Sequence, residues 1–98
     1  MIRIVYRWKV KAENFPAFKE AWSVATNKIH ETTPGALGSF MLRDADSETD
    51  ILTVAKWDCV ESWKAFWGMA NPKEMETMQA LGERVSVDAY EEIEDFTR

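Results

Sequence analysis

Two hydrophobic periods alternate along this chain, and their order limits the folds open to it. Residues 2–10 place Ile2, Ile4, Tyr6, Trp8 and Val10 on one face, and Arg3, Val5, Arg7 and Lys9 on the other. Period two with β-branched and aromatic residues marks a strand. Asn14 and Pro16 then open a helix, because proline fits a first turn whose amide hydrogens lack partners within the helix. Phe15, Phe18, Trp22, Ala25 and Ile29 recur at spacings of three and four, giving one apolar face that runs to about Glu31. Thr33-Pro34-Gly35 stops it.

A second strand is expected near Ser39–Arg43, followed by a polar connection from Asp44 to Asp50 and a third strand over Ile51–Trp57. Asp58 with Glu61 three residues on is a variant of the capping box. The helix behind it carries Trp63, Phe66, Trp67 and Ala70, breaks at Asn71-Pro72, and resumes through Met75 and Met78 to Leu81 before Gly82. Val85, Val87 and Ala89 open a last strand toward Phe96. The order is β-α-β-β-α-β. Right-handed crossovers turn it into a ferredoxin-like α+β fold, a four-stranded antiparallel sheet with its helices on one face and strands ordered fourth, first, third, second. Its 98 residues suit a single domain, 1–98.

Alternation assigns Ile2, Ile4, Tyr6, Trp8, Phe40, Leu42, Ile51, Thr53, Ala55, Trp57, Val85 and Val87 to the helix-facing side. The open side receives Arg3, Val5, Arg7 and Lys9; Met41 and Arg43; Leu52, Val54 and Lys56; Ser86, Asp88 and Tyr90. Five of those twelve are apolar. A partner is expected to cover it, most simply a second copy of the chain as a homodimer through the open sheet face.

Composition removes several function classes. One Cys excludes a disulfide framework and multi-cysteine metal sites, and one His excludes a His pair, so no metal is expected. A net charge of −5 argues against nucleic acid and anionic lipid as partners. No stretch approaches the roughly 18 apolar residues of a membrane span, and Met1-Ile2-Arg3-Ile4 enters a strand directly, which points to a cytoplasmic protein. Five tryptophans stand out. They serve as core bulk or as the lining of a pocket for flat ligands.

Two hydroxyls, Tyr6 and Thr53, fall on adjoining strands in an otherwise apolar surface. They either bond each other or a carbonyl, or form the polar grip of an apolar pocket. Trp57 shares their face four residues past Thr53, and its indole N–H needs an acceptor. Trp63, Phe66, Trp67, Met69, Met75 and Met78 read as core, or as the wall of a cleft left by the broken helix. His30 at a helix C-terminus complements the dipole there, the alternative being a haem ligand or a catalytic base. Cys59 lacks a partner thiol and reads as inert. Gly35 and Gly38 make an ordinary helix-to-strand turn, and the acidic run Asp88, Glu91, Glu92, Glu94 and Asp95 a solvated strand end rather than a cation site.

With these elements in place the chain resembles the antibiotic biosynthesis monooxygenase family over nearly its whole length. The resemblance rests on the alternating first strand, on Thr33-Pro34-Gly35-Ala36-Leu37-Gly38-Ser39-Phe40, and on Thr53-Val54-Ala55-Lys56-Trp57-Asp58-Cys59-Val60-Glu61-Ser62-Trp63. It implies a dimeric α/β barrel that oxidises a small electron-rich aromatic (phenol, anthrone or quinol) with O2 and needs no cofactor. It places Trp57 at the family's pocket Trp and Trp63 at its aromatic pocket position; together with the helix-facing residues read above, Trp57, Thr53 and Tyr6 are expected to be catalytic, with Trp63, Trp22, Trp67 and Met78 binding the substrate. Thr53 stands where quinone-forming members carry Asn, and no general base is evident. A non-catalytic dimeric module that binds or senses a small aromatic ligand is therefore the alternative, and isomerase-like or stress-protein-like chemistry on the same barrel is a third. The haem-degrading branch would need a His in Glu74-Met75-Glu76-Thr77-Met78-Gln79 and an Asn on the first strand. Neither is present.

Overall fold

A computed structural model describes residues 1–69 and 73–97. In chain order the elements are β1 (Ile2–Lys9), a short 3-10 turn (Ala12–Asn14), α1 (Phe15–Thr32), β2 (Ala36–Arg43), β3 (Asp50–Trp57), α2 (Val60–Met69), α3 (Lys73–Leu81) and β4 (Glu83–Glu91). They form a four-stranded antiparallel sheet in the order β2-β3-β1-β4. The ferredoxin-like architecture read from the periodicities is the one observed. The expected break at Asn71-Pro72 lies outside the described residues. Among those described, no helix is long and apolar enough to cross a membrane.

The core lies between sheet and helices. Ile4, Tyr6 and Trp8 of β1 and Ile51, Thr53 and Trp57 of β3 are buried there, beside Phe18 and Ala25 of α1 and Met75 and Met78 of α3. Trp8 meets Phe18 edge-on at 5.1 Å between ring centroids, a favoured aromatic geometry. Asn14 precedes α1 but makes no side-chain cap. Its amide reaches the Leu81 carbonyl instead, tying the start of α1 to the end of α3.

The expected face assignment of β2 is reversed. Ala36 stands opposite Trp57, but Ser39, not Gly38, stands opposite Ala55. One extra residue therefore enters β2, with Gly38 at φ +113°. Because side chains alternate, a one-residue insertion exchanges the faces of everything beyond it. Met41 packs against the core, and the Arg43 guanidinium lies 4.2 Å over the Phe15 ring. Phe40 and Leu42, expected inside, pair with Val54 and Leu52 on the open face and are 45% and 48% exposed.

A second insertion displaces Val85. Trp8 pairs with Arg84 while Arg7 pairs with Ser86, so Val85 is the unpaired residue between them and is mostly exposed rather than helix-facing. At the open end of the sheet Arg3 bonds Glu92 at 2.9 Å and approaches Asp95 at 3.7 Å. The acidic run thus closes on a strand arginine. No group of three metal-ligating side chains occurs among the described residues.

The start of α2 depends on Gly35. The Asp58 amide donates to the Gly35 carbonyl at 3.0 Å, and the Ser62 hydroxyl beside the Asp58 carboxyl holds it below its ordinary range. A Cβ on Gly35 would lie 2.5 Å from Asp58 Oδ1 and 2.7 Å from the Ser62 side chain, at a φ of +88°. Gly35→Ala is expected to lower the unfolding free energy by ~2 kcal/mol or more, combining left-handed strain with overpacking. At Gly38 a Cβ would meet nothing nearer than 3.5 Å, so Gly38→Ala should lose only the backbone share, ~1 kcal/mol. Urea denaturation of both variants checks the difference; equal losses would remove the contact at Gly35 from the account.

Candidate functional site

Register builds the site. Tyr6 and Thr53 stand directly opposite each other on β1 and β3, which places both side chains on the helix-facing side. They do not share a hydrogen bond. Trp8, opposite Ile51, is the diagonal neighbour of Thr53, and its indole donates to the Thr53 hydroxyl at 3.1 Å. Trp63 reaches down from α2, and its indole donates to the Tyr6 hydroxyl at 3.2 Å.

An indole nitrogen can only donate, whereas a hydroxyl both accepts and donates. Each indole therefore occupies a lone pair and leaves the hydroxyl its own proton to give. Burial raises the Tyr6 phenol above its ordinary 10.0, outweighing the opposing effects of the Trp63 bond and the Arg84 charge. Tyr6 is thus a neutral donor near pH 7. A third donor is Trp57, nearly fully buried, whose N–H has no acceptor among the described residues. Its ring leans on Phe66 at 5.4 Å.

These groups border a cavity of about 50 Å³ between sheet and helices. Tyr6, Thr53, Trp57, Trp22 and Met78 line it. Trp63 and Trp67 do not; they stand one layer behind. Trp67 stacks on Trp63 at 5.7 Å, touches the Tyr6 ring at 5.8 Å, and carries the Arg84 guanidinium at 4.8 Å on its ring. Ligand sites usually enclose roughly 300–1,000 Å³, so occupancy requires wall side chains to move. Met75 and Met78 are suited to that, being unbranched and soft.

Sequence reasoning did not place Thr26, Ser39 or His30 here, yet all three line the cavity. The signal for two of them was spacing: Trp22, Thr26 and His30 are four residues apart and share a helix face. Ser39 arrives through the β2 insertion, which no local pattern announces.

A ferredoxin-like sheet with a donor-lined cavity beneath its helices defines the structural class. The model of the antibiotic biosynthesis monooxygenase family matches residues 1–77, and the chain belongs to that family. No curated protein matches it. Among solved structures, a variant of SnoaB, a cofactor-independent oxygenase from Streptomyces nogalater, superposes with a TM-score of 0.81 at 13% identity, over 99% of this chain and 97% of that one. A protein from Bordetella bronchiseptica assigned to the same family gives 0.82 at 12% identity, over 95% and 97%. One from Nitrosomonas europaea gives 0.76 at 19%, over 96% and 100%. At these identities the likeness concerns the fold. β4 lies beyond the family match, yet it completes the same sheet.

Thr53→Val keeps the shape and strands the buried Trp8 N–H. A loss of about 1–3 kcal/mol is expected, with Thr53→Ser costing less because the acceptor survives. Thermal or urea unfolding of the two variants checks this; equal losses would mean that packing, not the hydrogen bond, sets the cost.

Proposed function

We propose that this chain is a cofactor-independent monooxygenase that uses O2 to oxidise a small electron-rich aromatic, a phenol, anthrone or quinol. The observation that carries the reading is the donor set. Tyr6, Thr53 and Trp57 offer protons along an apolar cavity in which, among the described lining residues, there is no carboxylate. Such a site favours an aromatic ligand whose oxygen becomes negative.

Deprotonating a hydroxyarene gives an anion that reduces O2 by one electron. The aryloxyl radical, delocalised onto the ring, and superoxide then combine at a ring carbon, the peroxide takes up a proton, and the hydroperoxide loses water. For an anthrone-type CH2, one oxygen atom ends as the ring carbonyl, the other leaves as water, and both hydrogens come from the substrate. The reductant is the substrate itself, so the reading assigns no cofactor. In it Trp57 donates to the developing oxyanion and Tyr6 and Thr53 orient the substrate oxygen. Trp22 and Met78 hold the ring, while Trp63 and Trp67 act through Tyr6. Apolar walls keep water from the radical pair.

The reading extends to a homodimer. The insertion in β2 leaves Phe40 and Leu42 on the open face, which Tyr90 shares from the opposite edge strand, each about half exposed, and the Ser86 hydroxyl on that face is buried with no partner among the described residues. A second copy laid across the sheet would cover them. Sedimentation should give twice the 11.3 kDa chain mass, and Leu42→Lys should shift it to monomer; a wild-type monomer would remove the dimer.

The second reading, a non-catalytic binding module, draws on Thr53, whose oxygen is already engaged by Trp8. Oxygen uptake by metal-chelated protein with anthrones, naphthols and quinols separates the two. Protein-dependent uptake is expected, and Trp57→Phe should lower kcat about 10²–10³-fold, the cost of one lost oxyanion donor. Tryptophan quenching by these compounds without any uptake would transfer the chain to the binding module.

A further inference from the structure

The cavity holds donors in number but, among its described lining residues, offers one fitted to take a proton. Trp22 and Trp57 carry donor-only indoles, the ammonium of Lys56, which also lines the cavity, likewise donates only, and the hydroxyls of Thr26, Ser39 and Thr53 are not bases near neutrality. Tyr6 is held as a neutral phenol by its burial. His30 is the exception, the one imidazole of the chain, and it lines the same cavity.

Its position follows from two elements. It lies in the last turn of α1, two helical steps of four beyond Trp22, so both stand on the wall that α1 presents to the sheet. The insertion in β2 brings Gly38 against it: a Cβ there would be 3.5 Å from His30 Nδ1. The imidazole is exposed to solvent as well as to the cavity. A proton taken from a bound ligand therefore has a route out to bulk water.

We infer that His30 is the general base of this site. The inference rests on the proposed oxygenase reading and supplies the step that reading lacks. The substrate O–H bond breaks, its proton moves to an imidazole ring nitrogen, and the electron pair remains on the arenolate, which Tyr6, Thr53 and Trp57 stabilise by donating to it. Dioxygen then oxidises that anion, and the imidazolium returns its proton, directly or by exchange with water, to the peroxide oxygen that leaves as water. His30 is a catalytic residue in this scheme because it touches the reacting hydroxyl. The dipole at the C-terminus of α1 favours the imidazolium that this transfer creates.

The test separates proton removal from anion stabilisation. 2-Naphthol, whose neutral and ionised forms absorb at different wavelengths, is bound anaerobically at fixed pH to wild type, His30→Gln and His30→Ala, with equilibrium dialysis reporting binding. Wild type should hold a higher naphtholate-to-naphthol ratio than free solution, and both variants should lose ~10-fold or more of that ratio while still binding. With oxygen and a quinol, kcat of the variants should fall ~100-fold, a normal contribution for a positioned base. Added imidazole should restore turnover to His30→Ala, which a purely structural histidine would not permit.

Equal naphtholate ratios in wild type and His30→Gln would overturn the inference, since the donors alone would then ionise the ligand. Ionisation that depends on His30 without any oxygen uptake would sustain the proton transfer and discard the oxygenase. Failure of the wild type to bind 2-naphthol would discard the aromatic site and this inference together.

Discussion

A hydroxyl enclosed between a sheet and its helices has to be paired, and β1 and β3 bring two of them, Tyr6 and Thr53, directly opposite each other. Leaving either oxygen unpaired would cost about 1–3 kcal/mol, a large share of the 5–15 kcal/mol by which domains usually stand. The chain answers with two indoles, Trp8 from within the sheet and Trp63 from α2. The second bond crosses the layers, so the pairing that satisfies the sheet also seats α2. Trp67 and Arg84 extend that contact toward β4 by ring stacking and cation–π packing. The same choice sets the character of the cavity: since indoles cannot accept, the hydroxyl protons remain directed at whatever enters.

The insertion between Ala36 and Ser39 has two consequences on opposite faces of the sheet. On the inner face it brings Ser39 and Met41 to the core side and seats Gly38 beside His30. On the outer face it presents Phe40 and Leu42. A single extra residue thus shapes the cavity wall and raises the apolar content of the open sheet together, because alternation links the faces. Gly38, with φ +113°, tolerates the backbone this needs.

Much of the architecture was legible along the chain. Period two over Ile2–Lys9 and spacing of three and four from Phe15 to Ile29 are strong signals, and the elements they announce occur where expected. That Tyr6 and Thr53 lie on neighbouring strands followed from topology alone, since strands one and three must be neighbours in this fold; their direct opposition is a matter of register. The partners of those hydroxyls did not follow. Trp8 and Thr53 are 45 positions apart and Trp63 and Tyr6 57 apart, and nothing local indicates which of five indoles turns toward which oxygen.

What the sequence by itself determined is the order and type of the elements, the inward face of β1 and β3, and the stock of donors the interior had to accommodate. Tertiary structure alone decided the phase of β2, the withdrawal of Trp63 and Trp67 behind the cavity, and the arrival of Ser39 at its wall. Periodicity is a local property, carried by the steric preferences of consecutive residues, so it can be read in order. An insertion counts only against the strand beside it, and a side-chain hydrogen bond only against the helix above it. Those relations exist only after the chain has closed on itself, when burial leaves each polar atom a single set of neighbours with which to be satisfied.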